Sequence, residues 1–394
     1  MMAAYPSVVD VLVVPAPESI TPAGVSLGLV FDTGIIGWGD VPLGDTSRAR
    51  LAAQYARDTI APFLRGQRHE GFRHFCALLR QAPGARPAAV LLALQQGWLD
   101  GIARSTGASV ADLLAAEYPF AGASRPPTML FLEISDFAAT AERIDQMLAL
   151  RPAGLGYRLT GQRVVEAIGR DGEHLQRFVR ELGERARVVA GETYAPAIYL
   201  GLNGALGRLL PDPIPNAGKV LGNIVGLKRR AWDRQLLLEE PFLLPDPAAQ
   251  AGHLQKLKEL ISSTARSAQW PQAPQLVARD HGLDRVERQA YLDMAAVGAF
   301  MFDLLLADDL DSRLAGLAQV QAAGFDALLH LPATATPRWA MTLVALAEAA
   351  RPLAVLTSAD DGVGGTPALA SRLLAEQQAR SDPGWAASVS PPEP

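Results

Sequence analysis

The feature that most constrains the fold is an alternation of strand-like and helix-like segments that begins near residue 128. Eight short apolar runs suit strands that are buried on both faces of a parallel sheet. Amphipathic segments follow them, centred near residues 145, 178, 225, 257, 290, 318, 344 and 374. This rhythm predicts a (β/α)8-type barrel. The predicted strands are Thr128–Leu132, Leu155–Leu159, Ala197–Leu202, Gln235–Glu239, Gln275–Arg279, Ala299–Leu305, Asp326–Leu331 and Leu353–Thr357.

The first part of the chain has a different rhythm and predicts a separate α+β domain. Its strands are expected at Val8–Val14, Val25–Phe31 and Ile35–Trp38, with a hairpin turn at 32–34 between the last two. Four helices should follow, near residues 47–63, 70–81, 87–104 and 109–118. The expected organisation is an α+β domain at 1–125, a barrel at 126–360, a closing helix at 361–382 and a flexible tail at 383–394.

Composition excludes several classes of function. The net charge of −5 and the lack of a basic face argue against nucleic-acid binding. No apolar run approaches the roughly 18 residues of a membrane span, and the N-terminal residues do not resemble a signal peptide. A cytoplasmic protein is therefore expected. The single cysteine, Cys76, lies in an apolar stretch typical of a buried, unreactive thiol.

Polar residues follow the predicted strands where the strands end, and in a barrel these ends meet at one face. The most informative stretch is Leu236–Pro241 (LLLEEP), an apolar run that stops at two carboxylates. Without a functional role, Arg158 could be a surface arginine, and His281 and His330 could be structural histidines. The predicted ring contains Glu133, Arg158, Gly201 with Asn203, Glu239 with Glu240, Asp280 with His281, Asp303, His330, and Thr357 with Ser358.

These residue types suit a small anionic substrate and a hard cation. Mg²⁺ prefers oxygen ligands, and Glu239 and Asp280 end adjacent predicted strands. Arg158 could hold a substrate carboxylate with two hydrogen bonds. Asp303 interrupts the apolar run AFMFDLLLA, so it needs a charged partner or a function. No lysine lies where a barrel base would be expected.

Several blocks resemble the enolase superfamily, and the methylaspartate ammonia-lyase family most closely. The resemblance implies an enolase-type (β/α) barrel with an N-terminal α+β capping domain. It also implies a symmetric homodimer and ammonia elimination from a small amino-acid-derived carboxylate. The blocks, in order, are SVVDVLVVPA, VSLGLVFDTGIIGWGDV, IAPFLRGQ, WLDGIARSTGASVADLLAAEYP, ETYAPAIYLGLNGALG, LLLEEPFLLPD, QLVARDHG and DDGVGGTPALASRLLAEQQAR.

The family's Mg²⁺ is bound by three carboxylates, a lysine removes the proton and a histidine serves the other proton transfer. Two of the metal positions fall on Gly201 and Arg279, and Asp280 is a substitute one residue after the latter. Only Glu239 matches a metal carboxylate. The lysine position falls on Asp303 in an alignment without gaps, or on Leu306 if the apparent insertion in LLLADD lies earlier.

Two more family positions also differ. The histidine falls on Arg158, and the substrate loop reads PATATP, with Ala333 near the family's cysteine. Arginine stays protonated, so it cannot shuttle a proton as histidine does, although it can hold an anion.

Three functions remain open on the sequence. A diverged lyase or isomerase would use Asp303 or His281 as the base, with Glu239 and Asp280 binding a residual metal or orienting that base. Arg158, His330, Thr334 and Glu133 would contact its substrate. Alternatively, the chain is an inactive paralogue that partners a homologous enzyme subunit, or a protein that binds a carboxylate without chemistry.

Overall fold

A computed structural model shows a three-stranded antiparallel sheet, a set of helices, and a closed barrel of eight parallel strands. The predicted fold class is confirmed. The predicted closing helix at 361–382 and the tail at 383–394 lie outside the described residues. The structure describes residues 5–15, 24–41, 46–85, 87–122, 128–134, 141–160, 168–169, 172–191, 194, 196–208, 212–231, 235–267, 273–280, 282–305, 309–331 and 336–358.

The N-terminal strands form an antiparallel sheet in the order β1-β2-β3. The predicted hairpin turn at 32–34 is confirmed, and Gly34 takes the left-handed φ of 81° that this turn requires. The strands are β1 (Val8–Pro15), β2 (Val25–Phe31) and β3 (Ile36–Val41). The helices are α1 (Thr46–Tyr55), α2 (Ala61–Leu64), α3 (Phe72–Gln81), α4 (Ala88–Thr106) and α5 (Val110–Glu117).

The helix predicted near residues 47–63 is confirmed, but its hydrogen bonding is not α-helical throughout. A π-helical turn at Ala56–Ile60 separates α1 from α2, and the Ala61 amide donates to the Ala56 carbonyl. Pro62 follows at once. Proline has no amide hydrogen, and its ring crowds the carbonyl four residues earlier. The wider turn lets the chain continue in the same direction although the regular hydrogen bonding is interrupted.

Glycines let α4 lie directly against β3. A Cβ atom on Gly39 would fall 1.7 Å from the carbonyl oxygen of Ala93, and one on Gly37 would fall 2.0 Å from that of Gly97. Any side chain at these two positions would push the helix away from the sheet. The sequence IGWGDV is therefore a packing signal as well as a strand signal.

The eight predicted barrel strands are confirmed, with ends that differ by no more than about two residues. They close in the order β4-β5-β6-β7-β8-β9-β10-β11. The strands are β4 (Thr128–Ile134), β5 (Gly154–Leu159), β6 (Ala197–Gly201), β7 (Leu236–Glu239), β8 (Gln275–Asp280), β9 (Ala299–Asp303), β10 (Asp326–Leu331) and β11 (Ala354–Ser358).

Seven described helices connect these strands: α6 (Ala141–Ala149), α7 (Glu173–Ala190), α8 (Pro213–Ala231), α9 (Pro247–Ser267), α10 (Arg285–Asp293), α11 (Leu310–Ala322) and α12 (Pro337–Ala350). None of the described helices is both long and apolar enough to cross a membrane.

Strand alternation separates an inner from an outer barrel surface, because successive side chains point to opposite faces. The inner surface is a small apolar cluster that fills the barrel. The outer surface packs against the helices within the main core. Which face a residue occupies therefore decides whether it can join a site at the barrel's carboxyl end. The inner cluster contains Met129, Phe131, Tyr199, Leu237, Val277, Ala299, Met301, Leu328, Ala354 and Leu356.

Candidate functional site

Seven residues at the carboxyl ends of β4 to β10 share the inner face, and we call them the mouth cluster. The register aligns the first four on neighbouring strands, and it aligns the last two with each other. The residue from β8 lies two positions after the inward Val277. The mouth cluster consists of Glu133, Arg158, Gly201, Glu239, Arg279, Asp303 and His330.

The centre of the mouth cluster is a buried ion pair between Arg158 and Glu239. Nε and Nη2 of Arg158 each donate to Oε2 of Glu239 at 3.1 Å, and the Tyr199 hydroxyl donates to the same oxygen at 2.5 Å. The guanidinium carbon of Arg158 lies 4.7 Å from the centre of the Phe131 ring, a cation–π contact.

The ion pair keeps Arg158 charged. Burial disfavours its charged form, but Glu239, Tyr199 and Asp303 together outweigh that effect and raise the pKa of Arg158. The pKa of Tyr199 is also raised, by burial first and by Glu239 second. Arg158 is thus a fixed internal cation and not a surface arginine.

Gly201 makes room for Arg158. A Cβ atom at position 201 would lie 2.8 Å from Cγ of Arg158 and 2.9 Å from Oε2 of Glu239. The backbone φ of Gly201 is not in the left-handed region, so the lack of a side chain matters for space and not for conformation. A side chain here would displace the arginine from its carboxylate.

Arg279 connects Glu239 to Asp303. Its Nε lies 2.7 Å and its Nη2 2.5 Å from Oδ2 of Asp303, and its Nε is 3.8 Å from Oε1 of Glu239. Burial would raise the pKa of Asp303, but the charges of His330 and Arg279 and a hydrogen bond from His330 lower it well below its usual range. Asp303 is therefore ionised and a weak base, which counts against its predicted role as general base.

Asp303 and His330 form a dyad. Oδ1 of Asp303 is hydrogen-bonded to Nδ1 of His330, and both side chains are buried. An ionised carboxylate can only accept a hydrogen bond, so Nδ1 carries the proton. In a neutral imidazole the lone pair is then on Nε2.

The mouth cluster is not fully satisfied. His330 Nε2 and Glu239 Oε1 are buried and have no hydrogen-bond partner among the described residues. Oε1 lies 3.1 Å from Nη2 of Arg158, without the angles of a hydrogen bond. Buried polar atoms without partners are uncommon, and each one calls for an explanation.

Asp280, predicted as a second metal ligand, faces outward. It follows Leu276 and Ala278 on the outer face of β8, so it does not meet Glu239 inside the barrel. Its oxygens accept from Arg288 at 2.9 and 2.7 Å and from Arg313 at 2.7 Å. They also accept from the amides of Gly282 and Leu283, at 3.1 and 3.0 Å. These five hydrogen bonds occupy the carboxylate and argue against metal binding.

The remaining residues predicted to act in catalysis or to contact the substrate fall into two groups. Glu133 is in the mouth cluster, 3.4 Å from Nη1 of Arg158, with half of its side chain exposed. His281, Thr334 and Leu306 lie outside the described residues, so their predicted roles and the Leu306 alternative for the base remain predictions. The sequence interpretation missed Tyr199, although its position two residues before Gly201 on a strand indicates the same face.

The described residues do not fit Mg²⁺. They contain no group of three or more His, Cys, Asp or Glu side chains that could hold a metal ion. Glu239 is committed to arginine and tyrosine donors, and at the position of another expected carboxylate Arg279 provides a cation. A hard divalent ion needs several oxygen ligands in near-octahedral order, and this end of the barrel has too few.

An antiparallel sheet and helices preceding an eight-stranded parallel barrel, with ionisable groups inside the barrel's carboxyl end, define an enolase-superfamily protein. A sequence model described as "Methylaspartate ammonia-lyase C-terminus" matches residues 138–362. Because this match covers more than half of the chain, the chain belongs to the methylaspartate ammonia-lyase family.

The chain is 26% identical over 241 residues to methylaspartate ammonia-lyase 2 of Carboxydothermus hydrogenoformans, which covers 57% of this chain and 56% of the relative. The match spans about half the length of the curated relatives.

Two solved structures share the fold. The first is β-methylaspartase from Clostridium tetanomorphum as a Mg complex, with a TM-score of 0.73, 18% identity, and coverage of 94% of this chain and 98% of that one. The second is methylaspartate ammonia lyase of Citrobacter amalonaticus containing (2S,3S)-3-methylaspartic acid. Its TM-score is 0.71, with 17% identity and coverage of 94% and 100%.

Proposed function

We propose that this chain is a diverged lyase or isomerase that performs acid–base chemistry next to the carboxylate of a small amino-acid-derived anion, with His330 as the proton-transfer group. The observation that carries the proposal is the Asp303–His330 dyad, in which Nε2 of His330 is buried and has no hydrogen-bond partner in the part of the chain that the structure describes. A carboxylate that holds one imidazole nitrogen orients the ring, fixes its tautomer and stabilises the imidazolium that forms. His330 replaces Asp303 and His281 as the proposed base, and Asp303 becomes its positioning residue.

The two arginines would supply the positive charge that this chemistry needs. Removing a proton next to a carboxylate places negative charge on its oxygens, and fixed donors aimed at that charge lower the barrier. The side chain of Arg279 is 16% exposed, whereas that of Arg158 is 5% exposed. Arg279 is therefore the cation that a substrate carboxylate can reach, and Arg158 supports it through Glu239.

In the lyase form of the reaction, His330 Nε2 takes a proton from the carbon beside the carboxylate. The electrons of that C–H bond form a carbon–carbon double bond, and the neighbouring C–N bond breaks to release ammonia. In the isomerase form, His330 passes the abstracted proton to water, and a proton from water adds to the opposite face of the same carbon. Both forms begin with the same proton transfer, so one measurement tests both.

Exchange of substrate hydrogen with deuterated water, followed by NMR, measures that transfer without knowledge of the product. The probes are (2S,3S)-3-methylaspartic acid, aspartate and glutamate. We expect exchange in at least one probe, and a loss of about 10²–10⁴-fold in His330→Gln. His253→Gln, a change on helix α9 outside the mouth cluster, is the matched control and should exchange at the unaltered rate.

Asp303→Asn tests the positioning role. It should lower kcat more than it raises KM, because the ring of His330 loses its fixed tautomer, whereas Arg279 keeps its charge although it loses its ion pair with Asp303. Arg279→Met should raise KM. No exchange in any probe, or a rate unaffected by His330→Gln, would contradict the proposed function.

A second candidate is the inactive paralogue that partners a homologous enzyme subunit. The Arg158–Glu239 pair favours it, because the carboxylate that matches a family metal ligand is already neutralised. It predicts a stable hetero-oligomer with an active family member, measured by light scattering of the mixed proteins. The first candidate instead predicts a homodimer that is active alone.

A further inference from the structure

We infer that Arg158 and Arg279 replace the divalent cation in this barrel, so that the mouth cluster binds no Mg²⁺. The inference concerns the same end of the barrel as the proposed function but does not need turnover, because binding of the metal alone tests it. A protein that binds no metal and shows no exchange would refute the proposed function and leave this inference intact.

The charges of the two buried arginines and the two buried carboxylates of the mouth cluster are already balanced. Arg158 and Arg279 carry two positive charges, and Glu239 and Asp303, which they contact, carry two negative charges. Buried charges are tolerated when they are paired and hydrogen-bonded. A divalent cation added here would leave two positive charges without a counter-charge among these four residues.

The one carboxylate oxygen of Glu239 that lacks a hydrogen bond is also blocked by charge. Oε1 lies 3.1 Å from Nη2 of Arg158 and 3.8 Å from Nε of Arg279. A metal ion bound to Oε1 would sit against two guanidinium groups, and like charges at this distance repel strongly away from water. The other oxygen, Oε2, already accepts from Arg158 and Tyr199.

The arginines also take the space in which the family's missing metal carboxylates would lie. Gly201 is paired with Glu239 in the strand register, so a carboxylate at position 201 could share an ion with Glu239. A Cβ atom there would fall 2.8 Å from Cγ of Arg158. Gly201 and Arg158 therefore depend on each other, as expected for a rebuilt site and not for independent losses.

A guanidinium can also take over the chemical task of a cation. It stays protonated, and it offers a planar set of N–H donors that matches the two oxygens of a carboxylate. Arg279 is the partly exposed member of the pair. A small carboxylate entering the barrel would meet Arg279 where related barrels would present a metal.

The test is isothermal titration of the chelator-treated full chain with Mg²⁺ and Mn²⁺, together with the paramagnetic resonance of Mn²⁺. We expect no stoichiometric binding at millimolar metal and no change in Tm with metal or chelator. Stoichiometric binding that is lost in Glu239→Gln would overturn the inference. This measurement on the unaltered protein does not depend on whether any variant folds.

A variant designed to bind metal tests whether Arg158 and Arg279 are the reason that the unaltered chain does not bind it. The triple change Arg158→His, Gly201→Asp and Arg279→Asp removes both cations and places carboxylates on either side of Glu239. It should bind Mn²⁺ stoichiometrically, at least tenfold more tightly than the unaltered chain. The matched control carries Asn in place of both new Asp residues and should not bind. A folded triple variant, checked by circular dichroism, that fails to bind Mn²⁺ would refute the role given to the arginines.

Discussion

Two arginine–carboxylate clusters lie on opposite faces of the same strand, β8. They differ in whether their polar atoms all have hydrogen-bond partners. Arg279 points into the barrel and joins a cluster that leaves Glu239 Oε1 and His330 Nε2 without hydrogen-bond partners among the described residues. Asp280, the next residue, points toward the helices and accepts five hydrogen bonds. The outer cluster is satisfied internally, as a structural network should be. The inner cluster keeps acceptor capacity for a ligand.

The largest expected effect is on the outer cluster. Asp280→Asn removes the charge that neutralises Arg288 and Arg313, both buried, and should lower the free energy of unfolding by about 3–5 kcal/mol. Urea denaturation measures this. Asp326→Asn, at an exposed aspartate of β10, is the control and should cost less than about 1 kcal/mol. An Asp280→Asn protein of normal stability would show that the outer cluster is not structural.

The next largest effect is on the pH dependence of stability, to which Asp303 of the inner cluster contributes. The pKa of Asp303 is lowered in the folded protein by His330 and Arg279, against the effect of burial. The ionised form therefore contributes stability that is present above the unfolded pKa of about 4 and is lost as pH falls toward the folded pKa.

We therefore expect Asp303→Asn to reduce stability at neutral pH and to flatten the loss of stability below about pH 4. Thermal melts at a series of pH values measure both effects, with Asp326→Asn as the control. An acid profile as steep as that of the unaltered chain would contradict the ion pairing described here.

A smaller effect should follow from Gly201→Ala. The added methyl group would collide with Arg158 and cost about 1–3 kcal/mol of unfolding free energy, measured by denaturation. Gly252→Ala in α9 is the matched control, since nothing lies within 4 Å of its Cβ position, and alanine should stabilise that helix by up to about 1 kcal/mol.

A double-mutant cycle locates the collision. If Arg158 is the obstacle, Gly201→Ala should cost much less in an Arg158→Ala background. Equal costs in both backgrounds would show that the two residues are independent, and would weaken the case for a rebuilt site.

The smallest expected change in stability at neutral pH concerns His69. This buried histidine tests whether polar atoms without hydrogen-bond partners always indicate a functional site. Both of its ring nitrogens are buried without hydrogen-bond partners among the described residues, and its ring contacts Phe31, Phe75 and Trp98. Burial lowers the pKa of His69 to about 4. The unfolded chain therefore binds the extra proton between about pH 4 and 6.5, and stability should fall as pH falls through that range.

His69→Phe should remove that part of the pH dependence and change stability at neutral pH by less than about 1.5 kcal/mol. Melts of His74→Gln, a change at an exposed histidine, serve as the control. A loss of deuterium exchange in His69→Phe would show that this histidine serves function as well as packing.

The sequence alone determined the barrel, because its cause is local. Each strand is a short apolar run, each helix is amphipathic, and the register of eight such units has few alternatives. The same reasoning predicted that Asp303 inside an apolar strand needs a partner, and that Glu239 ends its strand at the mouth. The sequence also predicted the first helix as one segment near residues 47–63, but it did not indicate the π-helical turn before Pro62.

The tertiary structure decided which side chains meet. Arg279 and Asp280 are adjacent in sequence, and only the strand's alternation assigns one to the mouth and the other to the helices. In the sequence, Gly201 indicates only the loss of a metal carboxylate. The structure shows that Arg158 fills the space that a side chain at position 201 would need. The ionisation of Asp303 depends on His330 and Arg279, which come from different strands. Such pairings are distant in sequence and are set by barrel closure, so no local pattern contains them.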